Sequence, residues 1–573
     1  MKRLRFGTPE EHVPSKYCDS FNYVETDIKF PTDKIEYRQT AAGSVIQFPL
    51  EDDCRIFGFG LQMLQFQHRG QRLRLAVNAD PRTPTGDSHA PVPFFVTNKG
   101  WGMFFDTARY AEFYCGYQKA NIENVKLEYS DANTVDALYA ARQVDTLTMD
   151  VKIPAAQGID VYIIEGDTIT DIVAQYNMLA GGGPANIPEW SLGLLYRCYG
   201  QWNSEKIIEV VDYFRDKNIP CDIIGLEPGW HENAYPCTYT WRQSNYPDPD
   251  GFINYVLSKG YHINLWEHSY THPKAPFYNE IMPYCGEHKV FGGLVPDLAT
   301  EEASNIFAEH HRKNIIAKGI DGFKLDECDS SDFTGGWCFP LTSRFPSGMD
   351  GEQYHSMHGV LYCKTLMKAL DGKPTLSEIR SMGSLAAPYP FVLYGDLYDH
   401  RTFIRALVNS GFSGLMWSPE FREAGSKNEC IRRIQTVVFS VQCLVNAWNY
   451  DGIPWIIHDC EDEVRELIEL RYKLIPMIKA SLDKYHETGK APVRALVSDF
   501  TDDENTYTID DEYLFCDDLL VAPIFAGEGD ERDVYLPVSA KWADFYTGEE
   551  INLPEDGRIH VCTENIPVYK RIG

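Results

Sequence analysis

The chain has 573 residues, 44% hydrophobic and 24% charged, enough for three or four domains at roughly 150 residues each, and no apolar run near the ~20 residues a membrane span requires. A formal net charge of -30 repels polyanions, which excludes nucleic acid as a favoured partner and leaves neutral or cationic ligands. The 15 Cys carry no CxxC pairs and no Cys/His ligand spacing, and read as reduced thiols of a cytoplasmic protein; 11 Trp and 34 Tyr suit stacking on sugar rings.

The N-terminal MKRLRFGTPEEHVPSKYC has basic residues but no apolar segment after them, so it does not read as a secretory signal. Residues 1 to about 165 read as short strands between turn residues, among them GSVIQFPL, VPFFVTNKGWGMFFDT and DTLTMDVKI, with Asn98, Lys99 and Gly100 as a hairpin turn. This predicts a β-sandwich. A helix over TITDIVAQYNMLAG follows, and AGGGPANIP (180–188) is the clearest linker, glycines ending the helix and prolines stopping its restart.

Beyond the linker the pattern alternates. SLGLLYRCY reads as a strand, SEKIIEVVDYFRDKN as a helix with Ile207, Val211 and Phe214 on one face and Ser204 as its cap, and CDIIGL as a strand again. Helices over 250–258 and 301–318 lead into the strands YHINLWEH and DGFKLDE, and further strands are expected at PTLSEIR, PFVLYGD and FSGLMWS. Strands buried on both faces and alternating with helices predict an α/β unit, a closed (β/α)8 TIM barrel. From about 480 the strands turn short and antiparallel in character. The predicted organisation is an N-terminal β-sandwich (1–180), a barrel (181–478) and a small C-terminal β-sandwich (479–573), with no internal repeat.

Chemistry in such a barrel gathers where strands end. The predicted strands end on Glu227 and Trp230; on Trp266, Glu267 and His268; on Lys324, Asp326 and Asp329; on Glu378 and Arg380; on Asp396; and on Trp417 and Glu420. A lone acid after a strand is often a helix cap or turn residue, but caps do not require Trp and Arg beside them. Two carboxylates facing a sugar are the minimum equipment for glycoside hydrolysis. Asp326 has Lys324 two residues earlier on the same face of its strand, an arrangement that lowers a carboxylate pKa and suits a nucleophile. The acid partner must be protonated near neutral pH, a lift of roughly two units from ~3.9, or about 2.7 kcal/mol. Asp396, between Tyr394 and Tyr398, is the candidate, whereas Asp399 reads as the cap of HRTFIRALVNS. Trp230, Trp266 and Trp417 are expected to wall the pocket, Glu327 to point away from Asp326, and Asp332 to lie on a loop surface. His268 and His272 have no third ligand in view, so no metal site is predicted.

These residues resemble glycoside hydrolase family 31, the α-glucosidase, α-xylosidase and α-galactosidase group, over about residues 75–550. GFKLDECD is similar to the family's Lys-x-Asp nucleophile strand, with Asp326 as nucleophile and Asp329 in place of the usual trailing Glu. RSMGSLAAPYPFVLYGD resembles the segment in which a sugar-binding Arg precedes the acid/base Asp by about sixteen residues, here Arg380 and Asp396. GLEPGW sits where the family has Asp-x-x-Trp. DSHAPVPFFVTNKGWGMFFDT resembles the sandwich loop that reaches toward the active site, and DDLLVAPIF with WADFYTGE the C-terminal sandwich. The chain departs from the family at Glu227, at Asn446 and Trp448 where Arg-x-His is common, and at WSPEFREA in place of Asp-Ile-Gly-Gly-Phe. Those are sugar-binding positions, which leaves an α-galactoside or an N-acetylated relative open beside an α-glucoside.

The resemblance implies a retaining exo-α-glycosidase that works through a covalent glycosyl-aspartate, its carboxylates ~5 to 5.5 Å apart. The substrate-binding set is then Glu227, Trp230, Trp266, Glu267, His268, Lys324, Asp329, Arg380, Trp417, Glu420 and Trp448. No cofactor is implied; the expected partner is a small oligosaccharide or glycoside, not nucleic acid or a membrane, and a homo-oligomer is left open. The alternatives are a transglycosylase on the same fold and a catalytically silent carbohydrate-binding protein, against which the retained Asp326 and Asp396 argue.

Overall fold

The computed structural model describes residues 1–119, 146–330, 336–396 and 399–573. Asp332 and Tyr398 lie outside the described residues. The N-terminal unit is a sandwich of two five-stranded antiparallel sheets. One runs Lys2–Gly7, Gly158–Glu165, Trp101–Phe105, Pro91–Thr97, Ile56–Gly60, and the other Glu36–Thr40, Gly43–Leu50, Thr146–Pro154, Glu112–Lys119, Arg72–Arg74. Alternate residues of facing strands, such as Ile46, Phe48, Met103, Phe113 and Val151, fill the space between the sheets. The predicted hairpin forms, with Gly100 at φ 75, where a side chain would be strained. The helix α1 (Ile169–Leu179) starts on a capping box between Thr168 and Asp171.

The central unit is built on parallel strands: β1 (Leu194–Arg197), β2 (Ile223–Leu226), β3 (His262–Glu267), β4 (Gly322–Leu325), β5 (Ser377–Ile379), β6 (Phe391–Leu393) and β7 (Cys443–Asn446). They form one seven-stranded sheet in the order β6-β5-β4-β3-β2-β1-β7. The expected strand at FSGLMWS is not a regular one. The gap between β6 and β7 is closed by two parallel bridges, Leu393 to Trp417 and Phe421 to Val445. Ser418 N donates to Leu393 O at 2.9 Å and Asn446 N to Phe421 O at 2.7 Å. Pro419, between the bridges, has no N–H to give to a ladder, so the segment crosses the gap in two short touches.

One further expectation is corrected. The helix Ser204–Asp216 is capped by Asn203, whose side chain accepts from Lys206 N, while Ser204 is already its first residue. The boundary expected at 478/479 falls inside the helix Glu461–Thr488, which carries Pro476 in its interior and ends at Gly489 with φ 77. The C-terminal five-stranded sheet runs Val493–Ala495, Tyr513–Phe515, Leu519–Val521, Val568–Arg571, Trp542–Asp544, beside the pair Glu531–Tyr535 and Arg558–Cys562. Asp399 caps the helix His400–Ser410 as expected, and none of the fifteen Cys, all among the described residues, is in a disulfide.

Candidate active site

The barrel interior is layered, because residues two apart on a strand face the same way. β4 and β5 pair Lys324 with Glu378, so the next inward positions at their upper ends are Asp326 and Arg380. Lys324 and Glu378 belong to a buried floor. Arg197 reaches Glu227 at 2.5 Å, Asn264 at 2.7 Å and Glu378 at 3.1 Å, and Lys324 Nζ lies 3.1 and 3.2 Å from the two Glu227 oxygens. Burial alone would raise the Glu227 carboxyl, but Lys324 and Arg197 outweigh it and hold it below the ordinary range. Glu378, more weakly compensated, is pushed up by burial to about 7. Lys324 therefore serves Glu227, not Asp326 as the sequence suggested, because the lysine sits one layer below the rim.

Asp326 is held from above. The Trp266 indole donates to Oδ2 at 2.6 Å, the Glu327 backbone N–H to Oδ1 at 2.9 Å, and Arg380 Nη1 lies 3.5 Å from Oδ1. Its side chain is 12% exposed. Glu327 turns the chain at φ 57, in the left-handed region, which breaks strand alternation. Its carboxyl consequently faces the site instead of pointing away. Burial, with Asp326 next to it, raises that carboxyl well above its usual range, and Tyr235 hydrogen-bonds it.

Arg380 is the hub of the rim. It lies 3.0 Å from Asp329, and its Nη1 also bonds Asp396 Oδ2. Asp329 is buried and takes a second bond, at 2.5 Å, from Nδ1 of His89 on the N-terminal sandwich. Burial opposes its ionisation, but Arg380 and His89 hold its pKa down.

Asp396, 54% exposed at the mouth, is gripped on its other oxygen by Arg422, whose Nη1 also donates to Gly395 O at 3.2 Å. The enclosing walls would raise the Asp396 carboxyl; Arg380 and Arg422 outweigh them and hold it well below the usual range. The expectation of a raised pKa is thus reversed, since the guanidiniums of Arg380 and Arg422 both close on this carboxylate. Any step that needs Asp396 protonated is opposed by Arg422. Removing that charge in Arg422→Met raises the Asp396 pKa, so the alkaline limb of a kcat/KM–pH profile moves to higher pH. A limb that stays in place would contradict the coupling.

The remaining expected residues divide. Glu420 is buried with Asn446 Nδ2 at 3.1 Å and Arg422 Nε at 3.5 Å, and burial lifts its carboxyl to about 7. Trp448, 37% exposed, lies with its ring 5.6 Å from the Arg422 guanidinium. His268 is buried among Trp266, Tyr235 and Phe291, its pKa lowered by burial to about 3. Three residues face elsewhere. Glu267 points out of the barrel to His311 at 3.0 Å and Tyr362 at 2.7 Å, because Asn264 and Trp266 already take the inward parity of β3. Trp230 is fully buried behind the rim, donating to Trp266 O at 2.7 Å, and Trp417 is buried with its indole on Phe403 O at 3.2 Å. Both are packing residues rather than pocket walls.

Sequence reasoning did not single out His89, Arg197, Tyr235 or Arg422. His89 lies in the sandwich loop already noted as reaching toward the site. Arg422 lies just beyond the Phe421 bridge, at the same rim as the other strand ends.

Comparisons with known proteins agree with this architecture. Residues 184–480 match the glycosyl hydrolases family 31 TIM-barrel domain, 489–573 the family 31 C-terminal domain, and 11–113 the family 31 N-terminal galactose mutarotase-like domain. An alpha-xylosidase of Emericella nidulans is 23% identical over 502 residues, covering 83% of this chain and 60% of that protein. An alpha-xylosidase of Saccharolobus solfataricus is 25% identical, covering 92% of this chain and 70% of that protein. The chain thus spans only 60% to 70% of the length of these relatives. Among solved structures, a dextranase of Flavobacterium johnsoniae complexed with glucose superposes with a TM-score of 0.78 at 20% identity, over 93% of this chain and 67% of that one. A cycloalternan-degrading enzyme of Trueperella pyogenes superposes with a TM-score of 0.77 at 21% identity, over 96% of this chain and 80% of that one. With its barrel and both flanking domains matched, the chain belongs to glycosyl hydrolase family 31.

Proposed function

We propose that the protein is a retaining exo-α-glycosidase acting on terminal α-linked hexosides. Asp326 attacks the anomeric carbon, forming a glycosyl ester as the glycosidic C–O bond breaks, and Asp396 gives its proton to the departing oxygen. Asp396 then takes a proton from water, whose oxygen attacks the same carbon and releases Asp326. One observation carries the reading. Arg380 Nη1 touches both carboxylates, so their nearest oxygens lie within about 6 Å of each other, compatible with the ~5 to 5.5 Å of retaining enzymes. The floor of ion pairs closes the pocket from below, which favours a chain end over a through-running polymer. A galactose-type sugar is a candidate beside glucose because Glu227, Asn446 and the segment around Glu420 depart from the family pattern.

One observation favours a second proton donor. Glu327, not Asp396, is the raised carboxyl beside Asp326, pushed up by burial and by the neighbouring Asp326 charge.

The stereochemical course tests the main reading. Proton NMR of a fresh digest of a nitrophenyl α-glycoside is expected to show the α-anomer first, followed by mutarotation; a β-anomer appearing first would exclude a glycosyl-aspartate. The glucoside, galactoside, xyloside and N-acetylgalactosaminide, run side by side, identify the sugar.

A further inference from the structure

A histidine of the N-terminal sandwich reaches the centre of the barrel rim. His89 lies between Ser88, whose O accepts from Asn78 N at 2.8 Å, and Ala90, whose O accepts from Leu61 N at 2.9 Å, so the chain is pinned on both sides of it. Its ring is fully buried and bonds Asp329 across 240 residues of chain. We propose that His89 is a positioning residue of the catalytic pair, fixing the places of Arg380 and Asp396 through its contacts with Asp329 and Gly395. The inference rests on Asp326 and Asp396 as the reacting carboxylates.

Two contacts on opposite edges of the ring carry it. On one edge, a single oxygen of Asp329, Oδ2, takes His89 Nδ1 at 2.5 Å together with Arg380 Nε and Nη2, each at 3.0 Å. An oxygen held by donors from both the sandwich and the barrel is not free to swing, and it aims the planar fork of Arg380 bound to it. The remaining nitrogen of that fork, Nη1, meets both Asp326, at 3.5 Å, and Asp396. On the other edge, Nε2 lies against the backbone that leads into Asp396. A side-chain carbon on Gly395 would stand 3.1 Å from Nε2 and 2.9 Å from the Trp417 ring, closer than side chains ordinarily pack, so glycine lets the chain lie against the histidine.

His89 thus touches the supports of both carboxylates, while its burial keeps it off any sugar. Packing alone accounts for a buried ring 6.4 Å from that of Trp417. It does not account for a ring nitrogen sharing the very oxygen that aims Arg380, since an apolar ring would fill the same space without a donor. A misplacement of about 1 Å between reacting groups costs on the order of a hundredfold in rate, which sets the size of the effect.

The donor and the ring are separable by substitution. His89→Phe keeps a ring and removes the donor, whereas His89→Asn keeps a donor near the Nδ1 position. These two, Asp329→Asn, and the double variant of His89→Phe with Asp329→Asn are assayed for kcat and KM on whichever of the four nitrophenyl α-glycosides wild type hydrolyses fastest, with thermal unfolding recorded for each. His89→Phe is expected to lower kcat about hundredfold with KM within about threefold of wild type, and His89→Asn to regain about tenfold of that loss. The double variant is expected to lose no more than Asp329→Asn alone, because both changes break one chain of contacts. If His89→Phe does not fold, His89→Ala takes its place in the cycle. Wild-type kcat in His89→Phe, or losses that add in the double variant, would overturn the proposal and leave the glycosidase reading standing. Equal losses in His89→Phe and His89→Asn that track a lowered unfolding temperature would mark a structural role and overturn it too. A wild type that hydrolyses none of the four glycosides would instead overturn the glycosidase reading, and this inference with it.

Discussion

Replacing Asp326 with Ala is expected to lower kcat/KM on activated α-glycosides by about ten-thousandfold or more, because in the proposed mechanism this residue makes and breaks the covalent bond. The structure gives that expectation its particulars. Trp266 Nε1 and the Glu327 backbone N–H both end on the Asp326 carboxylate, at 2.6 and 2.9 Å, and Arg380 stands 3.5 Å away. Among the described residues no other carboxylate holds that set of partners. Asp329, three residues along the chain, is buried and saturated by Arg380 and His89, so it cannot take over the attack. A small external anion should restore turnover to Asp326→Ala, since the alanine leaves a cavity lined by the same donors. Wild-type rates in Asp326→Ala would remove the nucleophile from the account.

Asp396→Ala is expected to act according to the leaving group. On disaccharides, whose leaving alkoxide needs a proton, the loss should be about a hundredfold to ten-thousandfold, and on glycosyl fluorides far smaller. The direction of the Asp396 shift adds a pH signature. Arg380 and Arg422 outweigh burial and hold the carboxyl ionised, so proton donation is favoured toward acid pH and declines as pH rises. Glu327→Gln supplies the control. If it shows the leaving-group dependence and Asp396→Ala does not, the proton comes from the raised carboxyl beside Asp326.

The barrel was legible because its two periodicities are local. Helical spacing at Ile207, Val211 and Phe214, and apolar runs ending in charge, survive without knowledge of partners. The placement of Asp326 and Arg380 was legible for the same reason, each being an inward residue at a strand end. What escaped depended on parity and on tertiary pairing. Trp266 and Glu267 are adjacent and cannot both face the pocket, and only the register with Asn264 inside the barrel assigns Trp266 to it. Lys324 has the right parity for the site but the wrong layer. Glu327 defies parity because its φ of 57 lies in a region that strand reasoning does not anticipate. Arg422 and His89 meet the site across gaps of 26 and 240 residues, to Asp396 and Asp329 respectively, a separation no local pattern encodes.

A covalent sugar on Asp326 is open to direct detection. Incubation with a fluorinated α-glycosyl fluoride, peptic digestion and mass spectrometry should find the glycosyl adduct on the peptide containing GFKLDECD, with fragmentation placing it on Asp326. An adduct on Glu327, Asp329 or Asp396 instead would contradict the assignment.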